Sequence, residues 1–294
     1  LSAAQLTRIR QIELRTRKLV HESLAGSYHS AFKGRGIEFD AVRPYEPGDD
    51  VRLIDWNVTA RSGDVFVKRH IEERELRVML LVDASGSTAF GSAGQHKRQA
   101  AVEIGALVAY SAIRNHDRVS LVTFSDRLEG YVPPRKGRNH MLRLIQALSE
   151  LPQVLRGTDL ASALRTADRL SGRRSILFVM SDFLTASADY LAELRLIAKR
   201  HDVIAIVLSD PLEVKWPDAG LVRLRDAETG EYHVVDLSRE AWRERFVAQS
   251  RRFRQMRDQA LAEAGIDRID IRTDHEYLPA LVQFFEMRRW RLGR

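Results

Sequence analysis

Leu76-Arg77-Val78-Met79-Leu80-Leu81-Val82-Asp83-Ala84-Ser85-Gly86-Ser87 is the stretch that decides the fold. Residues 78–82 form an unbroken apolar run. It is too short for a buried helix and has the branched character of a strand buried on both faces of a parallel sheet. At its carboxyl end one carboxylate and two hydroxyls stand at alternate positions, Asp83, Ser85 and Ser87. Open α/β sheets bind ligands beyond the carboxyl ends of their strands, and closely spaced hard oxygens suit a hard cation such as Mg²⁺. The same residues also read as an Asp closing a strand, with Ser-Gly-Ser capping a helix.

Downstream, apolar runs alternate with helical patterns. Residues 95–114 carry Ala101, Ile104, Leu107, Val108 and Ile113 on one side of a helix. Residues 118–124 read as a second buried strand, 128–132 as a short antiparallel edge strand, and 140–148 as a helix. Gly157-Thr158-Asp159 opens a helix over 160–170. A third buried strand over 175–180 ends in Ser181-Asp182, a helix covers 190–200, and a fourth strand covers 203–208. This order implies βαβ crossovers and an α/β fold with a doubly wound, mostly parallel sheet. The alternation then breaks. Residues 221–225 and 232–237 flank Asp226-Ala227-Glu228-Thr229-Gly230-Glu231 as a β-hairpin. A long basic helix over 239–264 stops at Gly265. Residues 266–271 alternate like an edge strand, and 277–290 read as a terminal helix.

Upstream, residues 2–24 read as a basic amphipathic helix whose charges form a solvated face. Residues 26–36 read as a loop, followed by short strand-like pieces broken by Pro and Gly, and a strand at 65–71. The stretch 43–61 is dense in Arg, Asp, Tyr and Trp, which predicts a hydrogen-bond network of Arg–carboxylate pairs, with scaffolding as its first role.

Composition narrows the class. The chain has 294 residues, 44% of them apolar, enough to bury the core of one large α/β domain or two small ones. It contains no cysteine, which excludes disulfide scaffolds and thiolate metal sites and points to a reducing, cytoplasmic setting. No segment reaches the length of a membrane span. The chain begins at Leu1, which is compatible with a removed N-terminal piece. A net charge of +7 spread over many arginines favours acidic partners at most.

A doubly wound sheet would bring Asp83, Ser85, Ser87, Thr158 and Asp182 to one edge. Two carboxylates gathered there repel unless a cation lies between them. Taken one at a time, Thr158 reads as a helix cap and Asp182 as a turn residue. Together the five resemble a complete metal-ion-dependent adhesion site of a von Willebrand factor A domain, and the order of elements over about 76–290 is similar to that fold. The motif Pro44-Tyr45-x-x-Gly48-Asp49-x-x-Arg52-x-Ile54-Asp55-Trp56-x-x-x-Ala60-Arg61 resembles the signature of the DUF58 family, bacterial and archaeal proteins that carry such a domain. Asp210-Pro211-x-Glu213 and the Thr229-Gly230-Glu231 hairpin are similar to that family too.

The resemblance implies two parts. Residues 1–75 would form an N-terminal helix and a β/loop extension, with Tyr45, Gly48, Asp49, Arg52, Asp55, Trp56 and Arg61 in structural or partner-binding roles. Residues 76–294 would form the A-type domain, with a hairpin insertion at about 211–237. Ser85, Ser87 and Thr158 would coordinate Mg²⁺ (or Mn²⁺ or Ca²⁺) directly, and Asp83 and Asp182 directly or through water. One position would stay open for a partner's carboxylate. The expected function is a non-enzymatic adaptor for a MoxR-type AAA+ ATPase. Many relatives carry membrane helices ahead of this region, so this chain resembles the soluble type or an excised part.

The rival readings are weaker. A haloacid dehalogenase-type phosphatase needs an acid where Ser85 stands. Gly86 and Gly91 are spaced as in a P-loop, but Ser92 replaces the lysine. Ser85 lacks the preceding glycine of a nucleophile elbow. His70, His96, His140 and His233 are isolated. The arginines of 239–257 could meet phosphates, but Glu240, Glu244, Asp258 and Glu263 interleave with them as a paired, solvated face. A metal-dependent hydrolase and a nucleic-acid-binding protein are therefore the alternatives.

Overall fold

The structure is a computed structural model that describes residues 3–33, 42–49, 51, 54–68, 75–92, 94–151, 157–184 and 190–292. The strands in chain order are β1 (Val42–Pro44), β2 (Phe66–Lys68), β3 (Arg77–Asp83), β4 (Arg118–Phe124), β5 (Leu128–Arg135), β6 (Ile176–Ser181), β7 (Asp202–Ser209), β8 (Leu221–Arg225), β9 (Tyr232–Asp236) and β10 (Asp267–Arg272). Six of them form one sheet in the order β10-β7-β6-β3-β4-β5. All neighbours are parallel except β4 and β5. The run 78–82 thus lies between two parallel partners, which is why it is apolar at every position.

The helices are α1 (Ala3–Leu19), α2 (Ala25–Lys33), α3 (Trp56–Ser62), α4 (Lys97–Arg114), α5 (Arg138–Ser149), α6 (Leu160–Ser171), α7 (Tyr190–Arg200), α8 (Glu240–Glu263) and α9 (Leu278–Leu292). Successive side chains of β3 point to opposite faces. Val78, Leu80 and Val82 join a core with buried residues of α1, α2, α4, α5 and α9. Met79 and Leu81 join a second core with α6, α7 and Leu261 of α8. The doubly wound, mostly parallel α/β architecture predicted from sequence is therefore the one observed. Among the described residues, no helix is long and apolar enough to cross a membrane.

Three local expectations are corrected. The loop expected from residue 26 is helical as far as Lys33, entered through a π-helical turn, Val20–Leu24. Tertiary packing overrides the glycine here. The hydroxyl of Tyr28 donates to Asp117 (3.2 Å), and its ring meets Phe32 and Phe285 at centroid distances of 5.0 and 5.9 Å. Residues 34–36 lie outside the described residues. In the 43–61 stretch, 56–62 is a helix and not a strand fragment; the carboxylate of Asp55 accepts the N–H of Val58 (3.3 Å) in the manner of a cap. The two β pieces outside the main sheet do not form one appendage. β1 pairs with β2, and β8 pairs with β9, as separate two-stranded ribbons. The expected strand at 65–71 is seen as Phe66–Lys68, and 69–71 lie outside the described residues.

Gly26 has no heavy atom within 4 Å of where a Cβ would stand. Its φ lies outside the left-handed region, so nothing in the structure requires glycine here. Gly26→Ala is expected to stabilise the protein by about 0.5–1 kcal/mol, through the smaller backbone entropy lost in helix α2. A rise in the denaturant midpoint at unchanged m-value checks it.

At one edge of the sheet, β5 carries Pro133 and Pro134 and shifts register against β4. At the other, β10 alternates charged, exposed positions with buried Ile269 and Ile271. Arg268 there pairs with Asp258 (2.7 Å), and Asp267 with Arg288 (3.1 Å).

Candidate functional site

The carboxyl ends of adjacent strands β3 and β6 place Asp83 beside Asp182. Asp83 is fully buried. One oxygen accepts the N–H of Ser85 (2.9 Å) and the other the hydroxyl of Ser181 (2.7 Å). The hydroxyls of Ser85 and Ser87 lie 3.2 Å apart, and Ser87 is among the groups that help to hold the Asp182 carboxyl below its ordinary range. Asp83, Ser85, Ser87 and Asp182 thus form a chain of polar neighbours at this strand edge. Burial, and then the charge of Asp182, push the Asp83 carboxyl up to about 6, against the hydrogen bonds that favour its ionised form.

Asp182 is engaged on both oxygens. Oδ1 accepts the N–H of Leu184 (3.0 Å), and Oδ2 accepts from the ammonium of Lys97 (2.7 Å). Lys97 is wholly buried and also donates to Glu213. Burial alone would lower the lysine's pKa, but Asp182 and Glu213 outweigh it and hold it above the ordinary value. Burial likewise pushes Asp182 up, and Lys97, helped by the Leu184 N–H and Ser87, more than reverses that. Glu213, further from balance, stays raised by burial in spite of Lys97. The carbonyl of Asp182 accepts from Arg257 of α8 (3.4 Å). Phe183 follows at φ 56°, a left-handed backbone that bulky residues seldom adopt. Its N–H bonds to the Ser181 hydroxyl (3.1 Å).

Thr158 stands on the rim of a cavity of about 660 Å³, whose wall also includes Glu213, Leu184, Glu228 and Phe253. The helix-cap reading of Thr158 belongs to its neighbour: the Asp159 carboxylate accepts the N–H of Ser162 (2.8 Å) at the start of α6. The turn reading of Asp182 holds through Leu184, alongside its place in the polar chain.

The tip of the β8–β9 hairpin lies across this edge. A Cβ on Gly86 would stand 1.8 Å from the carbonyl oxygen of Ala227, and one on Gly157 would stand 3.3 Å from a carboxylate oxygen of Glu228. The glycine of Asp83-x-Ser85-Gly86-Ser87 is explained by that backbone contact and not by a phosphate. Ser92, the residue that spoils the P-loop pattern, gives its N–H and hydroxyl to Asp210 (2.8 and 2.6 Å), which also accepts from Thr273 (2.6 Å). Asp210-Pro211-x-Glu213 is a capping box: Glu213 accepts the N–H of Asp210 (2.9 Å) and presents its other oxygen to Lys97.

The 43–61 motif forms part of the expected network. Arg43 pairs with Asp49 (2.6 Å), which also accepts the N–H of Glu46 (2.9 Å). Gly48 turns the chain at φ 113°. The N–H of Tyr45 bonds to Val65, and that of Asp55 to Phe66 (2.7 and 2.8 Å). Trp56 is 68% exposed, Arg61 closes α3, and Arg52 lies outside the described residues.

Could these residues hold a hard cation? Among the described residues, no three His, Cys, Asp or Glu side chains gather to hold a metal ion by themselves. Any ion here must draw on hydroxyls, and Ser85 and Ser87 stand between the two carboxylates. A carboxyl raised by burial and then by its neighbour's charge is what a divalent ion would relieve, and hard, partly neutral oxygens suit Mg²⁺. The donor set fits. Three participants were not read from sequence: Lys97, Glu213 and Glu228. Lys97 left one signal, a cation at the first residue of α4, where the helix dipole disfavours it unless a carboxylate holds it.

The family described as "Protein of unknown function DUF58" matches residues 41–256. An uncharacterized protein of Mycobacterium tuberculosis is 35% identical over 284 residues, 96% of this chain and 89% of the relative. Among solved structures, an aerotolerance-related membrane protein from Bacteroides fragilis is similar in fold (TM-score 0.50, 16% identical, 74% of this chain and 99% of that one). The VWA domain of SpRpn10 has a TM-score of 0.40 at 14% identity, covering 71% of this chain and 94% of that one.

Proposed function

The chain belongs to the DUF58 family, and from that premise we propose that it is a non-enzymatic, metal-dependent protein-interaction module, an adaptor for a MoxR-type AAA+ ATPase or its client. One observation carries the reading: the polar chain Asp83–Ser85–Ser87–Asp182 at the carboxyl ends of β3 and β6. Ser85, Ser87 and Thr158 would hold Mg²⁺ as neutral ligands. Asp83 would hold it directly or through water. Both oxygens of Asp182 are already engaged, so it is assigned a water-bridged place. A divalent ion bound mainly by neutral oxygens supplies a strong electrophilic position for a partner's carboxylate. Ser181 and the Ser85 N–H keep Asp83 oriented, and Lys97 keeps Asp182 ionised.

The test is binding to an immobilised MoxR-type ATPase from the same genome. Binding is expected in Mg²⁺ or Mn²⁺, to fall at least tenfold in EDTA, and to fall equally for Ser85→Ala protein with an unchanged circular dichroism spectrum. Contacts from the 43–61 motif can leave a metal-independent remainder. Identical binding in all three conditions would end the adaptor reading. Metal-dependent turnover of a phosphoester or peptide, lost in Ser85→Ala, would replace it with a hydrolase. DNA binding with a steep salt dependence would favour the nucleic-acid reading.

A further inference from the structure

The β8–β9 hairpin has no partner strand in the main sheet, and its outer face is exposed at Leu221, Tyr232 and Val234. Its tip is nevertheless fixed. Asp226 accepts the N–H groups of Glu228 and Thr229 (both 2.8 Å), and the Ala227 carbonyl is packed so closely over Gly86 that no side chain fits between them. Gly86 lies between the two serines of the polar chain. The next residue of the hairpin, Glu228, extends its carboxylate over Gly157, the neighbour of Thr158, on the wall of the cavity that Thr158 and Glu213 share. Two glycines on two different loops of the strand edge therefore receive two successive residues of one hairpin tip. Burial, then the charge of Asp226 and last that of Asp182, push the Glu228 carboxyl above its ordinary value, so a further carboxylate is held within electrostatic reach of Asp182.

We infer that Glu228 is an internal ligand of the site: the hairpin delivers a carboxylate to the coordination position that a partner's acid would take, so that a partner must displace it. The inference rests on the metal-dependent reading above. A carboxylate held on the cavity wall within reach of Asp182 is repelled less when a cation lies between them, and each added charged ligand raises the affinity of an oxygen site for a divalent ion. Because β8 and β9 add no strand to the main sheet, the tip can lift without unfolding that sheet. The occupant of the vacated position would be another carboxylate.

The experiment uses the full chain and Mn²⁺ as the probe, titrated by electron paramagnetic resonance, with water-proton relaxation reporting the water bound to the ion. Glu228→Gln keeps the shape of the side chain and removes its charge. It is expected to weaken Mn²⁺ about fivefold and to raise the relaxation enhancement, as water enters the vacated position. Acetate should then quench that enhancement at lower concentration in Glu228→Gln than in the native protein. Glu231→Gln, on the same hairpin beyond the tip, is expected to change neither quantity. If Asp83→Ala abolishes Mn²⁺ binding while Glu228→Gln leaves affinity, relaxation and the acetate response as in the native protein, the hairpin inference is overturned and the metal site stands. If Asp83→Ala and Glu228→Gln both bind Mn²⁺ as the native protein does, the metal site itself falls.

Discussion

In metal-free buffer, Lys97→Met is expected to cost the protein about 3–5 kcal/mol, because it leaves a buried charge uncompensated. The ammonium is wholly buried and bonds to Asp182, whose side chain is only 4% exposed. Methionine fills much of the lysine's volume, so packing loss is small and the electrostatic loss dominates. Glu213 is 19% exposed and water screens part of its share. Most of the cost therefore sits on Asp182. For a protein of this size, that corresponds to a fall of about 6–20 °C in melting temperature. A divalent ion supplies positive charge to the same carboxylates, so Mg²⁺ should restore more stability to Lys97→Met than it adds to the native protein. Equilibrium urea unfolding in EDTA and in Mg²⁺ checks both parts. A loss below about 1 kcal/mol would mean that solvent reaches Asp182 and the lysine is dispensable.

The second large effect concerns the ion itself. If only the folded protein binds it, Mg²⁺ at ten times its Kd adds about 1.4 kcal/mol of stability. At this size, that is a rise of about 3–6 °C. Asp83→Ala is expected to remove the rise completely, since it deletes the one carboxylate of the polar chain that has no lysine beside it. Scanning fluorimetry of native and variant protein, each in EDTA and in Mg²⁺, gives the four temperatures needed. Equal rises in the two proteins would exclude Asp83 as a ligand.

Much of the fold was legible in the sequence for a simple reason. Strands β3, β4, β6 and β7 are buried on both faces, and only continuous apolar runs satisfy that burial. The helices between them carry one-sided patterns. One misread element, residues 26–33, is held by long-range contacts of Tyr28 with Asp117 and Phe285, which no local window contains. The same distinction holds at the strand edge. Asp83, Ser85 and Ser87 are adjacent in sequence and could be seen together, and Asp182 follows an obvious strand. Lys97, Glu213 and Glu228 come from a helix start, a short turn and a hairpin tip. Each looks like an ordinary charged surface residue until the chain is folded. Gly86 was visible but misattributable, because the backbone it accommodates lies at Ala227.

The prolines of β5 and the charged alternation of β10 also govern how molecules of this protein meet. A sheet with a free edge invites another chain to add a strand, whether as a bound peptide or as the first step of aggregation. Pro133 and Pro134 offer no N–H to such a strand. On the opposite side, β10 carries the charged, exposed side chains of Arg268 and Asp270, which blunt an open edge. Growth of the main sheet is hindered at both sides by different chemistry, so strand addition there is disfavoured. What remains open is the loop end of the sheet, which holds the carboxylates and the hairpin.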